Sequence, residues 1–316
     1  MKSPLSFLCA ATLFASLAAA QSTMSLPENA SPVRVSEHVY AIIGFPNIAI
    51  VVGNAATLVV DTGMGARNGA IVVREAAKLS KNPKLFLTTT HFHPEHALGV
   101  QAFPPHTILI RPTVQQQEMD QYNSQFIDMF NSFSPEAKTL LRDVKVRPPD
   151  ITFDRELNLD LGGVTARLFW LGPAHTRGDE LIFVRSAQAG GSVVQAGKEE
   201  DSVLIPGDIV QDKIVPNMPN AEASPKNWIA ILDQLEPLKP RFIVPDHGAL
   251  GDASLIAKER AFLVDIQARS LELRRKGVSA DDAGRQITAE MKTRYPDWTT
   301  MGPTANIVTR VYAENP

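Results

Sequence analysis

From Val39 onward the chain alternates between short apolar runs and clusters of turn residues. Val39-Tyr40-Ala41-Ile42-Ile43, Ile48-Ala49-Ile50-Val51-Val52 and Ala56-Thr57-Leu58-Val59-Val60 read as three strands, the last stopping at Asp61-Thr62-Gly63. Runs this closely spaced leave no room for crossover helices, so they predict an antiparallel sheet opening the fold. Over 67–80 the period changes, and Ile71, Val72, Ala76 and Leu79 form the apolar stripe of a helix. Leu85-Phe86-Leu87-Thr88-Thr89 is a strand running straight into His91, and 107–110 is another. Met119, Tyr122, Phe126 and Phe130 recur three or four residues apart, which predicts a helical insertion over about 112–143, packed on the domain. Strands return at 151–154, 165–170, 181–184, 193–196 and 203–206, with loops at 187–191 and 197–201. A helix over 228–235 stops before Pro237, a strand over 241–245 ends near His247, and two helices fill about 253–294, broken near Gly277. The tail, 295–316, reads as mostly irregular. Strands open each half of this order, and a helix followed by a strand closes each. The expectation is an α+β fold, a four-layer αββα (helix–sheet–sheet–helix) sandwich, as a single domain over 21–316.

The first twenty residues follow a different pattern. Lys2 is followed by an apolar run from Leu5 to Ala20 that ends in small residues before Gln21-Ser22. This predicts a signal peptide over 1–20, cut after Ala20, and a periplasmic or secreted protein with no stable membrane insertion after cleavage. The run is short for a spanning helix, which needs roughly 20 apolar residues. Cys9, the single cysteine, lies inside it, so the mature chain would have neither disulfide nor thiolate. Composition is that of an ordinary globular protein: 44% hydrophobic, 21% charged, formal net charge -3. No basic cluster of the kind that reads a phosphate backbone is present, so a nucleic-acid partner is not expected.

Three of the seven histidines lie in Thr90-His91-Phe92-His93-Pro94-Glu95-His96. Three imidazoles and a carboxylate in so short a stretch have no common structural purpose, and imidazole is a usual donor to zinc. His91 and His93 alternate after a strand and can face one way. Pro94 breaks the extended run, so that Glu95 and His96 leave from the turn. Three more candidates follow strand ends: His175 in Gly172-Pro173-Ala174-His175-Thr176-Arg177-Gly178-Asp179, Asp208 in Pro206-Gly207-Asp208, and His247 in Pro245-Asp246-His247-Gly248. Strand ends at one sheet edge gather into one cleft. His38 and His106 are left over, and both are read as structural or surface residues.

This ordered set, with Asp61-Thr62-Gly63 ahead of it, resembles the metallo-beta-lactamase superfamily of zinc metallohydrolases, over about Val39–Gly251. The resemblance implies the four-layer sandwich and two zinc ions. His91, His93 and His175 would hold the first ion, Glu95, His96 and His247 the second, and Asp208 would bridge them. Asp61 would be a buried acceptor that orients the ligands, with Asp179 a further candidate for such support. Two features depart from the family's usual pattern. Glu95 stands where aspartate is usual, although some members carry glutamate; the extra methylene adds roughly 1.5 Å of reach. Asp246 stands where glycine is common, and is either another supporting group or a solvent-facing turn residue. Histidine at position 93 argues for zinc over the diiron branch, and the lack of a cysteine near Asp208 excludes the thiolate-bearing lactamases.

What the resemblance implies chemically is a dinuclear zinc hydrolase. A hydroxide between the metals would attack an ester, lactone or amide-like bond, a beta-lactam among the candidates, in a small-molecule substrate, with Asp208 and Glu95 as the catalytic carboxylates. The alternatives are a phosphodiesterase or sulfatase-type hydrolase of the same fold, or a non-hydrolytic metal-binding accessory protein. The entrance is expected from Gly44-Phe45-Pro46-Asn47, the 112–143 insertion and the loop Asp212–Ser224. Phe45, Phe92 and Trp170, with Tyr122, Phe126 and Met129, are candidates for an apolar substrate wall.

Overall fold

The computed structural model describes residues 23–186, 201–299 and 301–315. The expected leader, the strand at 193–196, the loop at 187–191 and most of the loop at 197–201 lie outside those residues. Among the described residues, no helix is long and apolar enough to cross a membrane.

The first sheet has seven strands in chain order: β1 Val33–Arg34, β2 Val39–Ile42, β3 Ile48–Val52, β4 Thr57–Val60, β5 Leu85–Thr88, β6 Ile108–Pro112 and β7 Ile151–Phe153. β1 to β4 pair antiparallel, as their short connections require, and β4 to β7 pair parallel, with helices crossing between. The second sheet runs β12-β11-β10-β9-β8, with β8 Glu156–Asp160, β9 Val164–Phe169, β10 Leu181–Ser186, β11 Ser202–Ile205 and β12 Phe242–Ile243. Only β11 and β12 pair parallel there.

Both sheets are covered on both faces, and strand periodicity shows how. In β3, Ala49 and Val51 face the second sheet, where they join Leu58, Val60, Ala166, Leu168, Ile182 and Val184. Ile48 and Ile50 face outward and pack with Ile71 and Val72 of helix α1 (Gly65–Leu79). In β10, Leu181 and Phe183 take the opposite face from Ile182 and Val184. They meet Trp228 and Leu232 of α5 (Pro225–Leu235) and Phe262 of α6 (Ser254–Arg275). The result is the expected α+β sandwich of four layers. The remaining helices are α2 (Pro94–Ala97), α3 (Thr113–Phe133), α4 (Pro135–Leu140), α7 (Ala280–Arg294) and α8 (Thr304–Glu314).

Three elements differ from the sequence expectation. The stretch 112–143 is two helices, because Ser134 caps the second by accepting from the Ala137 amide and Pro135 opens it. β8 is an edge strand with only Leu157 and Leu159 facing inward. The tail is not irregular: α8 buries Ile307, Val308 and Val311 against the C-terminal helices.

β4, β5, β9, β11 and β12 end at the same rim of the sandwich, and each hands a chemistry-bearing residue to the loop that follows.

Candidate metal centre

β5 stops at Thr88, and the next residues form the floor of the site. His91 is nearly fully buried, and its ring lies 4.6 Å from that of His93 and 4.0 Å from that of His96, centre to centre. Pro94 opens the single-turn helix α2, which carries Glu95 and His96 inward. His175 follows β9, Asp208 sits in the 3-10 turn Gly207–Ile209 after β11, and His247 follows β12. The seven sequence-predicted residues therefore meet in one place. Possible ligand atoms of His91, His93 and His175 lie within 4.8 Å of one another. So do those of Glu95, His96 and His247, and those of His91, His96 and Asp208. Asp208 stands between the two triads. Its Oδ2 is 3.4 Å from His175 Nε2, and its Oδ1 is 3.4 Å from His247 Nε2.

The donor atoms fit metal ions. His91 Nε2, His93 Nε2, His96 Nε2, His247 Nδ1, Glu95 Oε2 and Asp208 Oδ1 are buried and have no hydrogen-bond partner. More than nine in ten buried polar groups are normally paired, and the orphans of His91, His96, Glu95 and Asp208 lie on residues whose ligand atoms cluster, as metal donors would, while His93 and His247 turn their other ring nitrogens inward, Nδ1 3.3 Å from His175 Nε2 and Nε2 3.4 Å from Asp208 Oδ1. Burial, aided by the mutual repulsion of the imidazoles, holds His91 and His93 well below their ordinary pKa, and burial takes His247 down to about 3. Neutral imidazoles keep a lone pair for a cation.

Behind the donors lies a supporting layer. Asp61 adopts a left-handed backbone, φ 71°, which a short polar side chain tolerates better than most. Its Oδ1 accepts from the Thr90 amide at 2.7 Å, and its Oδ2 lies 2.9 Å from His96 Nδ1. Asp246 is buried rather than solvent-facing. Its Oδ2 accepts from Thr90 Oγ1 at 2.7 Å and lies 3.2 Å from His96 Nδ1. Burial works against charge on His96, but Asp61 and Asp246 outweigh it and raise its pKa well above the ordinary value. Both carboxylates face Nδ1, which leaves Nε2 turned toward the centre. His175 Nδ1 lies 2.6 Å from the Asn217 carbonyl and must donate to it, so its Nε2 also faces inward. Asp179 accepts from the amides of Ala174 and Thr176 on either side of His175, at 3.1 and 3.0 Å. Gly207, at φ 63°, lets the Asp208 turn approach Thr90, whose Cβ would be 3.0 Å from an added Cβ.

A cavity of 540 Å³ opens over the cluster, within the usual range for small-molecule sites. Phe45, Met129, Phe130 and Phe133 line it, as do Ile214 and Val215. The three expected entrance segments all contribute, and Met24, Thr299 and Pro303 add walls that the sequence reading missed. No lysine or arginine is among the described residues that line it. The Phe45 ring lies against that of His247, tilted by 35°, with centroids 4.4 Å apart. Two of the expected wall residues do not line the cavity. Phe92 is fully buried on the far side of the His91–His93 ribbon, packed edge-on to Phe126, because alternation sends it opposite to its neighbours. Trp170 turns away, its indole N–H donating to the Arg177 carbonyl at 2.9 Å. Phe126 stacks on His93 at 4.5 Å and shields that imidazole. His38 lies outside the site, 2.6 Å from Asp201, and His106 is exposed.

Residues 42–189 match the family model described as the metallo-beta-lactamase superfamily. That match covers just under half of the chain and makes this region similar to the metallo-beta-lactamase superfamily. A linear primary-alkylsulfatase from Pseudomonas sp. is 24% identical over 60% of the chain and 39% of its own length. Two solved structures share the fold. A stereoselective inverting sec-alkylsulfatase from Pseudomonas sp. has a TM-score of 0.70 at 14% identity, over 90% of this chain and 50% of that one. A metallo-beta-lactamase from Pontibacter korlensis has a TM-score of 0.56 at 20% identity, over 75% of this chain and 100% of that one. The chain thus spans half or less of the length of either alkylsulfatase.

The burial of Glu95 has a consequence for pH. It raises the carboxyl to about 7, against the pull of His96, from an ordinary 4.5. The proton is therefore held more tightly in the folded protein than in the unfolded chain. Glu95 contributes stability below about pH 4.5, and that contribution is lost as pH rises through about 7. The buried neutral histidines have the opposite dependence, so only a difference against Glu95→Gln isolates the effect. In chelator-treated protein, the wild type should lose stability relative to Glu95→Gln between pH 5 and pH 8, read as urea midpoints. A constant difference across that range would refute the assignment.

Proposed function

We propose that the protein is a two-zinc hydrolase that cleaves an ester bond in a small molecule bearing an apolar chain, with alkyl sulfates and carboxylic esters as the candidate substrates. The observation that carries this reading is the gathering of two buried triads of candidate ligands, with one carboxylate, Asp208, facing both. Nitrogen-rich, cysteine-free donors with two carboxylates suit zinc. His91, His93 and His175 would hold one ion, Glu95, His96 and His247 the other, and Asp208 both. When bound, the ions would supply the positive charge that polarises the scissile group and lowers the pKa of water.

The protein's own residues do the rest. Asn217 and the Asp61–Asp246 pair keep a proton on Nδ1 of His175 and of His96, which fixes the tautomer each presents. Asp208 holds the two triads at a set separation. Phe45 and Phe126 keep water off His247 and His93. The wall formed by Met129, Phe130 and Phe133 offers contact area and no cation, so it binds the unreactive part of a substrate by its apolar surface. Likeness to the alkylsulfatases supports an ester with an alkyl chain.

The test is a hydrolysis screen of zinc-loaded protein over alkyl sulfates, aliphatic esters, lactones, beta-lactams and phosphodiesters, with His91→Ala as control. Sulfates or esters should turn over, and kcat/KM should rise with chain length by up to about fourfold per methylene, from roughly 0.8 kcal/mol each. Met129→Ala and Phe133→Ala should flatten that rise while leaving the shortest substrates unchanged. Turnover confined to beta-lactams or phosphodiesters, or indifferent to chain length, would overturn the substrate assignment. Equal activity in folded His91→Ala would overturn the site.

A further inference from the structure

Helix α3 points one face at the rear of the metal centre, and two fully buried side chains one turn apart on it make seven hydrogen bonds to loops distant in sequence. Gln115 Nε2 donates to the carbonyls of Thr89, Thr90 and Gly178 at 2.8, 3.2 and 3.1 Å, and its Oε1 accepts from Thr89 Oγ1 at 2.6 Å. The helix backbone comes so close to Gly178 that an added Cβ there would lie 2.4 Å from Gln115 Cα. Glu118 accepts three more. Its Oε1 takes the Arg177 amide at 3.0 Å and Asn220 Nδ2 at 3.1 Å, and its Oε2 takes the Gly178 amide at 2.9 Å. Neither side chain reaches the cavity.

The three acceptances at Glu118 converge on His175 from two directions. Arg177 and Gly178 belong to the loop that carries His175. Asn220 belongs to the loop that carries Asn217, whose carbonyl takes the His175 Nδ1 proton. One carboxylate therefore ties the backbone that places the imidazole to the loop that aims it. We propose that Glu118 is a positioning residue for His175, clamping the 175–179 loop to the 217–220 loop so that the His175 Nδ1 proton stays on the Asn217 carbonyl and Nε2 faces the metal centre.

Chemistry sets what a substitution should do. Glu118→Gln keeps the volume and one acceptor oxygen, but turns an amide NH2 toward N–H donors, so at least one of the three bonds is lost. Asn220→Ala removes only the arm to the second loop and spares the helix. Loss of a group that orients a metal ligand typically costs about 10–100-fold in metal affinity.

The experiment uses full-length protein, wild type and the two variants, with thermal melting as the check on folding. In metal-free protein, 15N NMR of the His175 ring should show Nδ1 protonated in the wild type and a mixture of tautomers in Glu118→Gln. Zinc affinity, by competition with a chromophoric chelator, should fall by about 10–100-fold in Glu118→Gln and by less in Asn220→Ala, with a changed cobalt(II) absorption spectrum. The double variant should lose less than the product of the two single losses, because both act through one clamp. An unchanged His175 tautomer and unchanged zinc affinity in either folded variant would overturn the proposal. The zinc readout rests on the reading of His175 as a ligand, and the metal-free tautomer does not. Should the wild type bind no zinc, the proposed function falls, and the tautomer alone still decides for or against Glu118.

Discussion

Asp208→Ala should yield a folded protein that binds one ion tightly instead of two and has lost at least about 10³-fold in turnover. Its two oxygens face His175 on one side and His247 on the other, so no other described side chain can replace it between the triads. A carboxylate about 4 Å from a unit charge is worth roughly 4 kcal/mol at an effective dielectric of 20, and this one would face two divalent ions. Losing even that much corresponds to about a thousandfold. Folding should survive, because the core rests on the two sheets and their helices, not on this turn. In the metal-free protein Asp208 is a liability, since burial raises its pKa above the ordinary value. The metal-free variant should therefore be at least as stable as metal-free wild type. Metal content by elemental analysis, beside turnover and urea midpoints, checks all three points. Two ions retained with turnover within tenfold of wild type would remove Asp208 from the bridging position.

Much of this site can be read in the sequence because its residues follow strands. A run such as Leu85–Thr88 identifies itself by composition, and what leaves its end must emerge at the rim with whatever leaves β9, β11 and β12. Seven residues spread from His91 to His247 could be assembled on that basis. The supporting layer is less legible, since its partners are backbone groups. Glu118 has no local sequence signal: its meaning lies in the amides of Arg177 and Gly178, about sixty residues away. Gln115 and the Asn217 carbonyl are hidden in the same way. Asp246 has two readings in the sequence, and only the Thr90 hydroxyl against it decides for the buried one. Other misses were avoidable. Phe92 lies between two histidines that face one way, so alternation already pointed it into the core. Ile307, Val308 and Val311 carry helical spacing behind Pro303, which was a sufficient signal for α8. β8 is harder, because an edge strand needs few apolar residues and shows only Leu157 and Leu159.

Glu95 is where the chain departs from the usual pattern of the superfamily it resembles, and Glu95→Gln should lose the second ion selectively. Glu95 leaves the same short helix as His96, its Oε1 lies 3.7 Å from His96 Nε2, and its Oε2 is one of the orphaned donors. Glutamine has the same length and can offer the same oxygen, so geometry is conserved and only the charge is removed. The two zinc ions proposed would bring four positive charges, and Glu95 and Asp208 are the only carboxylates among the seven candidate donors. With Asp208 shared, the loss should fall on the ion to which Glu95 would be the private ligand. By the same Coulomb argument the second site should weaken by about 10²–10³-fold, while the His91–His93–His175 site stays within a few-fold of wild type. Glu95→Asp separates charge from reach. It keeps the carboxylate but withdraws it by roughly 1.5 Å, and should fall between wild type and Glu95→Gln if the full reach is used. Titration of metal-free protein with zinc, recording stoichiometry and turnover together, distinguishes the outcomes. Two tight sites in the wild type and one in Glu95→Gln would establish the private ligand. Identical two-site isotherms in both proteins would leave the second ion to His96, His247 and Asp208, and the raised pKa of Glu95 would then reflect burial alone.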